Sequence, residues 1–151
     1  MEYLDIVDEQ GQPTGKIISR TLAHTEGIRH RTVHIWIVRR ENEHLQVLMQ
    51  KRAMNKDSFP GKYDTSSAGH IQAGDEPLAS GLRELAEELG IHAKPEDLAF
   101  AGCIHGNFAE EFHGKIFRDN EIAFVYVYQQ PVDIETLVLQ KEEVESVRWF
   151  D

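Results

Sequence analysis

Residues 69–91 read GHIQAGDEPLASGLRELAEELGI, and this stretch decides the fold of the chain. Four leucines recur in it at the spacing of an amphipathic helix: Leu78, Leu82, Leu85 and Leu89. We expect Asp75 to be the N-cap, Pro77 to lie in the first turn and Gly90 to end the helix, because each residue type is favoured at that position. The pattern therefore predicts one strong helix whose leucine face packs on a sheet.

Three glutamates crowd the second half of this helix. At about 100° per residue, Glu84, Glu87 and Glu88 fall within one arc that faces away from the leucines and the sheet. Clustered glutamates usually form an ordinary solvated face. Here, however, the helix dipole and the repulsion between like charges both disfavour them. A hard divalent cation such as Mg²⁺ would remove both costs, since it prefers carboxylate, water and phosphate oxygens.

The rest of the sequence is typical of strands arranged around this helix. The segments rich in β-branched and aromatic residues are YLDIVD and GKIISR (an N-terminal hairpin over about residues 1–21), HRTVHIWIVRR, LQVLMQKR, LAFAGCIHGNFA, EIAFVYVYQQ and ESVRWF. NKDSFPGKYD indicates a loop, and DIETLVLQKEEV could hold a short helix. Strands on both sides of one helix predict an α+β domain over residues 1–151.

Length and composition limit what the chain can bind. At 151 residues it has the size of one domain, and its net charge of −10 argues against a nucleic-acid surface. A small phosphate-bearing substrate is compatible with this charge if a cation offsets the repulsion. The single cysteine, Cys103, favours a reducing compartment. Without a signal-peptide pattern or a run of ~20 apolar residues, we expect a cytoplasmic protein with no membrane partner.

Residues 69–91 closely resemble the Nudix box, G-x5-E-x7-R-E-U-x-E-E-x-G-U, where U is a bulky apolar residue. Every fixed position is met except one, at which Asp75 replaces a glutamate. The resemblance implies an α/β/α sandwich with a mixed central sheet and a loop-helix-loop catalytic motif. It also implies hydrolysis of a nucleoside diphosphate linked to another moiety, or of a related pyrophosphate. The shorter Asp75 puts the loop geometry in question more than the activity.

By this resemblance the box is a catalytic metal site. Glu84, Glu87 and Glu88 would bind one or more Mg²⁺ or Mn²⁺ ions, Gly69 would contribute its backbone carbonyl, and Arg83 would orient the glutamates. The cation would bridge diphosphate oxygens and lower the pKa of a bound water. A carboxylate would then accept the proton of that water. This base is a box glutamate in some members and another glutamate in others, so we leave it unassigned.

Basic residues shortly before the box are candidates for holding phosphate. They are Lys51, Arg52, Lys56 and Lys62. The alternative is a strand end and a loop whose charges only confer solubility. We favour Arg52 and Lys56 as substrate-binding residues, because an acidic protein must place phosphate-binding charge somewhere.

Within the superfamily, the chain most resembles the branch of type I isopentenyl-diphosphate isomerase. The resemblance is carried by LAHTEGIRHRTVHIWIV, KRAMNKDSFPGKYDTSSAGH, DNEIAFVY and VRWF. Where the isomerases hold a divalent metal, this chain has a possible second site formed by His24, His30, His70, Asp119 and Glu121. Imidazole and carboxylate together suit Mn²⁺, Zn²⁺ or Fe²⁺ better than Mg²⁺. The alternative is that these histidines are scattered without a shared role.

Isomerisation also needs groups that add and remove protons. The isomerases place a cysteine directly before the Gly-His of the box, whereas this chain has Ala68, which cannot exchange a proton. We therefore expect a Mg²⁺- or Mn²⁺-dependent hydrolase of a small-molecule diphosphate. The alternatives are an isopentenyl-diphosphate delta-isomerase-like enzyme and a Nudix domain that binds a nucleotide or metabolite without turnover. The sequence leaves the substrate and the oligomeric state open, with a dimer among the options.

Overall fold

The computed structural model of the chain describes residues 2–56 and 59–151. Within these ranges the elements are, in chain order, β1 (Tyr3–Val7), β2 (Pro13–Ser19), α1 (Arg20–Glu26), β3 (His30–Glu41), β4 (His44–Arg52), β5 (Tyr63–Asp64), β6 (Ser67–His70), α2 (Pro77–Glu84) with a π-helical turn at Leu85–Leu89, a 3-10 turn at Pro95–Asp97, β7 (Leu98–Phe112), β8 (Lys115–Tyr128), a 3-10 turn at Ile134–Thr136 and β9 (Val144–Phe150). No helix in these ranges is long and apolar enough to cross a membrane.

A mixed sheet carries the candidate site. Its strands run in the order β5-β4-β3-β8-β7, with β6 also paired to β3 and β9 to β4. β3 and β8 are parallel, while β4 and β6 each pair antiparallel to a different half of β3. β1 and β2 form the predicted N-terminal hairpin as a separate two-stranded sheet. The prediction of an α+β fold with a mixed sheet is confirmed.

The leucine face of the box helix packs on one side of this sheet, as predicted. Leu85 and Leu89 are fully buried in one cluster with Val33 and Ile35 of β3. Burial of each such side chain contributes roughly 1.5–3 kcal/mol to the free energy of unfolding. Gly81 allows the close approach, because a Cβ there would lie only 3.2 Å from Ile35 Cδ1. The position of the acidic residues is thereby fixed relative to β3.

The predicted N-cap of the helix was wrong by one residue. Glu76, in extended conformation, is the N-cap, and its side chain makes no capping hydrogen bond. Asp75 does not cap because its carboxylate accepts a hydrogen bond from Arg83 Nη1 at 2.9 Å. The other two signals held: Pro77 is the first helical residue, and Gly90 follows the last turn with a φ of 71°.

Three short elements near the site were not predicted: helix α1 and strands β5 and β6. Helix α1 has seven residues, too few for a detectable period, although Ser19 caps it by accepting a hydrogen bond from Leu22 N at 3.3 Å. Strand β6 has four residues of small or polar type. The segment from Asp133 to Val144 holds only the three-residue turn Ile134–Thr136. The loop NKDSFPGKYD ends in β5, and its Asp57 and Ser58 lie outside the described residues.

Candidate active site

A cavity of about 760 Å³ opens beside β6 and brings the predicted site residues together. Those that line it are His24, Arg52, Lys56, Gly69, His70, Arg83, Glu84, Glu87, Glu88, Asp119 and Glu121. His30 lies behind this lining, fully buried, with its ring centroid 5.1 Å from that of His24. The cavity therefore joins the acidic helix to the histidine cluster.

The carboxylate of Glu84 lies directly against the backbone of Gly69. A Cβ at residue 69 would be 2.4 Å from Glu84 Cδ and 2.5 Å from Oε1, well inside van der Waals contact. Any side chain at residue 69 would push the carboxylate away, so this contact requires glycine at that position. Burial, with a contribution from the neighbouring Glu88, raises the pKa of Glu84 to about 8. A nearby cation would lower this pKa and restore the charged form.

Glu88 faces the sheet, which contradicts the expectation that all three glutamates face away from it. The residue is 7% exposed, and its Oε1 accepts hydrogen bonds from Ser67 Oγ at 2.6 Å, Ala68 N at 3.2 Å and Gln50 Nε2 at 3.3 Å. Glu88 lies in the π-helical turn Leu85–Leu89, so the angular positions of a regular α-helix do not apply to it. Burial raises the pKa of Glu88 to about 7, although these hydrogen bonds lower it.

Arg83 contacts both other glutamates and Asp75. Its Nη1 lies 2.9 Å from Asp75 Oδ2, its Nη2 3.6 Å from Glu84 Oε1 and its Nε 4.0 Å from Glu87 Oε1. Burial lowers the pKa of Arg83, but the hydrogen bond to Asp75 and the charge of Glu84 outweigh this and raise it. The shorter Asp75 thus still reaches the arginine. The side chain of Glu87 is 53% exposed, the most accessible of these four.

The N-terminal hairpin braces the loop that precedes the helix. Arg31 Nη2 donates to Asp5 Oδ2 at 3.0 Å and to the carbonyl oxygen of Asp75 at 3.0 Å. Gly74 N donates to the same Asp5 oxygen at 3.0 Å. Both charged side chains are buried. The sequence analysis missed this pair, since residues 5 and 31 are far apart in the chain and each reads as part of an ordinary strand.

The three histidines and two acids of the proposed second site also converge. The ligand atoms of His24, His30 and His70 all lie within 4.8 Å of one another, and so do those of His30, Asp119 and Glu121. The parallel pairing of β3 with β8 sets His30 opposite Glu121. Burial lowers the pKa of His30, and burial together with the charge of Arg20 lowers that of His70 further. Burial thus favours the neutral form of both rings, the form in which imidazole binds metal.

The polar contacts at the centre of this cluster fit a bound cation. His30 Nδ1 lies 2.9 Å from the carbonyl oxygen of Ile28, so Nδ1 carries the proton and Nε2 presents a lone pair. That Nε2 lies 3.4 Å from Asp119 Oδ1, and both atoms are buried without a hydrogen-bond partner among residues 2–56 and 59–151. Two opposed lone pairs are costly when buried. A divalent cation with nitrogen and oxygen ligands would stabilise both.

The acids of the cluster respond to the same environment in opposite ways. Burial favours the protonated form of Asp119, but His24 and His30 outweigh it and hold its pKa below the usual range. Burial and the charge of Asp119 raise the pKa of Glu121 to about 8. A cation would favour ionisation of both carboxyls. Its binding should therefore release protons.

The basic residues of the cavity are divided between paired and unpaired side chains. Lys56 Nζ contacts the carboxylate of Glu143, and Arg52 Nη1 lies 3.8 Å from Asp64 Oδ2. Arg20 and Lys62 also line the cavity. Neither of these two forms an ion pair with the part of the chain that the structure describes. Arg20 was missed because it lies on the unpredicted helix α1, far along the chain from the box.

One wall of the cavity is aromatic. Phe59, Phe108 and Phe117 line it, and the ring centroid of Phe59 lies 5.9 Å from that of Phe108. Phe117 packs against His24 with a centroid distance of 4.3 Å. The sequence analysis placed no aromatic residue in the site. Phe108 and Phe117 lie on the β7–β8 hairpin. Their position beside the box could not be predicted, because no periodic pattern in the sequence relates the two segments.

A family model described as the NUDIX domain matches residues 28–151. The chain belongs to the Nudix family. It is 43% identical over 143 residues to an uncharacterized Nudix hydrolase of Clostridium acetobutylicum, which covers 95% of this chain and 66% of that protein. It is also 30% identical over 129 residues to an isopentenyl-diphosphate delta-isomerase of Streptomyces avermitilis, over 85% of this chain and 63% of the isomerase. The chain thus spans about two thirds of the length of these relatives.

The fold has a counterpart among solved structures. A crystal structure of a Deinococcus radiodurans protein aligns with a TM-score of 0.67 and 21% identity, over 98% of this chain and 82% of the other. This likeness confirms the predicted Nudix fold. Family membership also supports the predicted class, a Nudix hydrolase, and Nudix hydrolases generally use divalent metal ions.

Proposed function

We propose that the chain hydrolyses a small-molecule diphosphate in the presence of Mg²⁺ or Mn²⁺. The substrate class is a nucleoside diphosphate linked to another moiety, or a related pyrophosphate. The observation that carries the proposal is the contact between Glu84 and Gly69, because it presses a half-buried carboxylate against the backbone group expected to share its metal. Glu84, Glu87, Glu88 and the carbonyl of Gly69 would hold the ion, and Arg83 would orient the carboxylates.

The charge of the cavity supports a metal-dependent reaction. Acidic residues outnumber basic ones in its lining, and in their ionised forms they would repel an anionic diphosphate unless a cation were bound. When bound, the cation supplies positive charge that stabilises the diphosphate oxygens and the leaving phosphate. Arg20 and Lys62 are available to contact phosphate directly. We propose the same for Arg52 and Lys56, which line the cavity together with their partners Asp64 and Glu143.

The test is ³¹P NMR of the purified protein with Mg²⁺ or Mn²⁺ and a panel of phosphate compounds. The panel holds nucleoside di- and triphosphates, nucleotide sugars, dinucleotides and isopentenyl diphosphate. We expect new phosphate resonances, and a rate about a hundredfold lower for Glu87→Gln, because a neutral amide is a poor ligand for a hard cation. Addition of EDTA should stop the reaction. A full rate in Glu87→Gln would contradict the role of the box.

The same panel separates the two alternatives. Isomerisation of isopentenyl diphosphate with the diphosphate intact would favour the isomerase-like reading. Against it, Ala68 lines the cavity where a proton-transferring group would be needed, while Cys103 is exposed on β7 and does not line the cavity. Absence of any turnover, with ligand binding unchanged in Glu87→Gln, would favour a domain that only binds a nucleotide or metabolite.

We also propose that His24, His30, His70, Asp119 and Glu121 hold a second divalent ion, Mn²⁺, Zn²⁺ or Fe²⁺. The buried lone pairs of His30 Nε2 and Asp119 Oδ1 support this assignment. His30→Gln should lower the metal content by about one equivalent per chain after dialysis against Mn²⁺ or Zn²⁺, measured by plasma mass spectrometry. His34→Gln is the matched control, since His34 lies on the same strand and lines the cavity outside the cluster. Equal metal content in both variants would contradict the site.

The charge and the architecture of the chain also bear on its domain organisation and on the kind of ligand it binds. We propose that residues 1–151 form a single domain, because the N-terminal hairpin is joined to the box loop by the buried pair of Asp5 and Arg31. A net charge of −10 and an acidic cavity fit a small-molecule ligand rather than a nucleic acid. A cytoplasmic location remains our proposal, and a dimer is the oligomeric state to test first.

A further inference from the structure

Two buried polar side chains from different strands converge on one oxygen of Glu88. Ser67 of β6 is fully buried and donates from Oγ at 2.6 Å, while Gln50 of β4 is 5% exposed and donates from Nε2 at 3.3 Å. Gln50 Nε2 also donates to the carbonyl oxygen of Ser66 at 3.2 Å, directly before β6, which fixes its amide in place. With the amide of Ala68, Oε1 of Glu88 accepts three hydrogen bonds.

The other oxygen of Glu88 is left free by this arrangement. Within the described residues Oε2 has no hydrogen-bond donor, although Glu88 lines the cavity. A carboxylate that accepts three hydrogen bonds on one oxygen cannot rotate without breaking them. Burying an amide and a hydroxyl is costly unless both are hydrogen-bonded, and here both make that bond to the same carboxylate oxygen. The strands therefore fix which oxygen of Glu88 is available to a ligand.

We propose that Gln50 and Ser67 are positioning residues for the metal of the Nudix box. They hold Oε1 of Glu88 so that Oε2 alone is presented to the cation, which makes Glu88 a ligand through one oxygen. The inference rests on the proposed function, since it requires a divalent ion at the box. Neither residue belongs to the box motif, and both act through Glu88 rather than on the substrate.

The test measures Mn²⁺ binding to the full chain, without substrate, by the loss of the free Mn²⁺ signal in electron paramagnetic resonance. We call the part of the Mn²⁺ binding that Glu87→Gln abolishes the box component. Ser67→Ala and Gln50→Met each delete one donor to Glu88, and we expect each to weaken the box component about tenfold, the effect typical of losing an outer-shell partner. Melting followed by circular dichroism identifies any variant that fails to fold.

Ser66→Ala is the matched control. Ser66 directly precedes Ser67 and is fully buried. Its Oγ accepts a hydrogen bond from Ile37 N at 2.8 Å and contacts the carbonyl of Leu48, and none of the hydrogen bonds among the described residues joins its side chain to Glu88. It should lose stability but keep the box component. Wild-type affinity in both Ser67→Ala and Gln50→Met, with Glu87→Gln still impaired, would overturn this inference and leave the proposed function standing. An equal loss of Mn²⁺ affinity in Ser66→Ala would also overturn the inference, because the loss would then reflect a general change in packing. Absence of any Glu87-dependent Mn²⁺ binding in the wild type would overturn both.

Discussion

Gly69→Ala should reduce the rate of metal-dependent hydrolysis about a thousandfold while leaving the fold intact. The added Cβ would lie 2.4 Å from Glu84 Cδ, and the carboxylate, as the end of a flexible side chain, would move away from it. The carboxylate that we propose as a metal ligand would thereby leave its place beside the Gly69 carbonyl. A thousandfold loss corresponds to about 4 kcal/mol of transition-state stabilisation, consistent with disturbing two ligands at once. The measurement is kcat/KM on the substrate found by ³¹P NMR.

The fold should survive because the backbone of Gly69 does not have a positive φ. Thermal unfolding of Gly69→Ala should therefore stay within a few degrees of the wild type. Gly106→Ala is the matched control on β7, since its Cβ would meet Glu121 Cγ at an ordinary 3.6 Å. Wild-type turnover in Gly69→Ala would show that Glu84 does not act from its position beside residue 69.

The elements that sequence analysis predicted are those with strong local signals. The leucine period, Pro77 and Gly90 located the box helix, because amphipathic spacing and end preferences operate within a few turns. The long strands were found in the same way, from runs of β-branched and aromatic residues. The prediction that the three glutamates face away from the sheet was nevertheless wrong for Glu84, whose carboxylate lies against Gly69 of β6, as well as for the buried Glu88.

What the sequence did not predict depends on contacts between distant segments. Glu88 lies in a π-helical turn, which the local pattern does not distinguish from an α-helix, and its hydrogen-bond partners come from distant segments. Helix α1 is too short for a period, so Arg20 could not be placed at the cavity. Gln50 and Ser67 contact Glu88 only because β4 and β6 both pair with β3. The histidine cluster was predicted from the resemblance to the isomerase branch and not from residue spacing.

Asp5→Ala should lower the free energy of unfolding by about 3 kcal/mol, since it leaves the guanidinium of Arg31 buried without its charged partner. The side chains of the pair are 11% and 5% exposed, and their closest atoms are 3.0 Å apart. For a chain of this size the melting temperature should fall by about 6–12 °C. The measurement is thermal unfolding followed by circular dichroism, with urea unfolding for the free energy.

The source of this loss can be isolated with two further variants. Glu145→Ala removes one partner of the exposed pair with Lys51, whose atoms are 3.1 Å apart, and should cost less than about 1 kcal/mol. The double variant Asp5→Leu/Arg31→Met removes both buried charges and should be more stable than Asp5→Ala, because no charge is left unpaired. A double variant no more stable than Asp5→Ala would show that the loss comes from the hydrogen bond of Asp5 to Gly74 N instead. In that case the hairpin braces the box loop through its backbone contact, and Arg31 contributes through its bond to the Asp75 carbonyl alone.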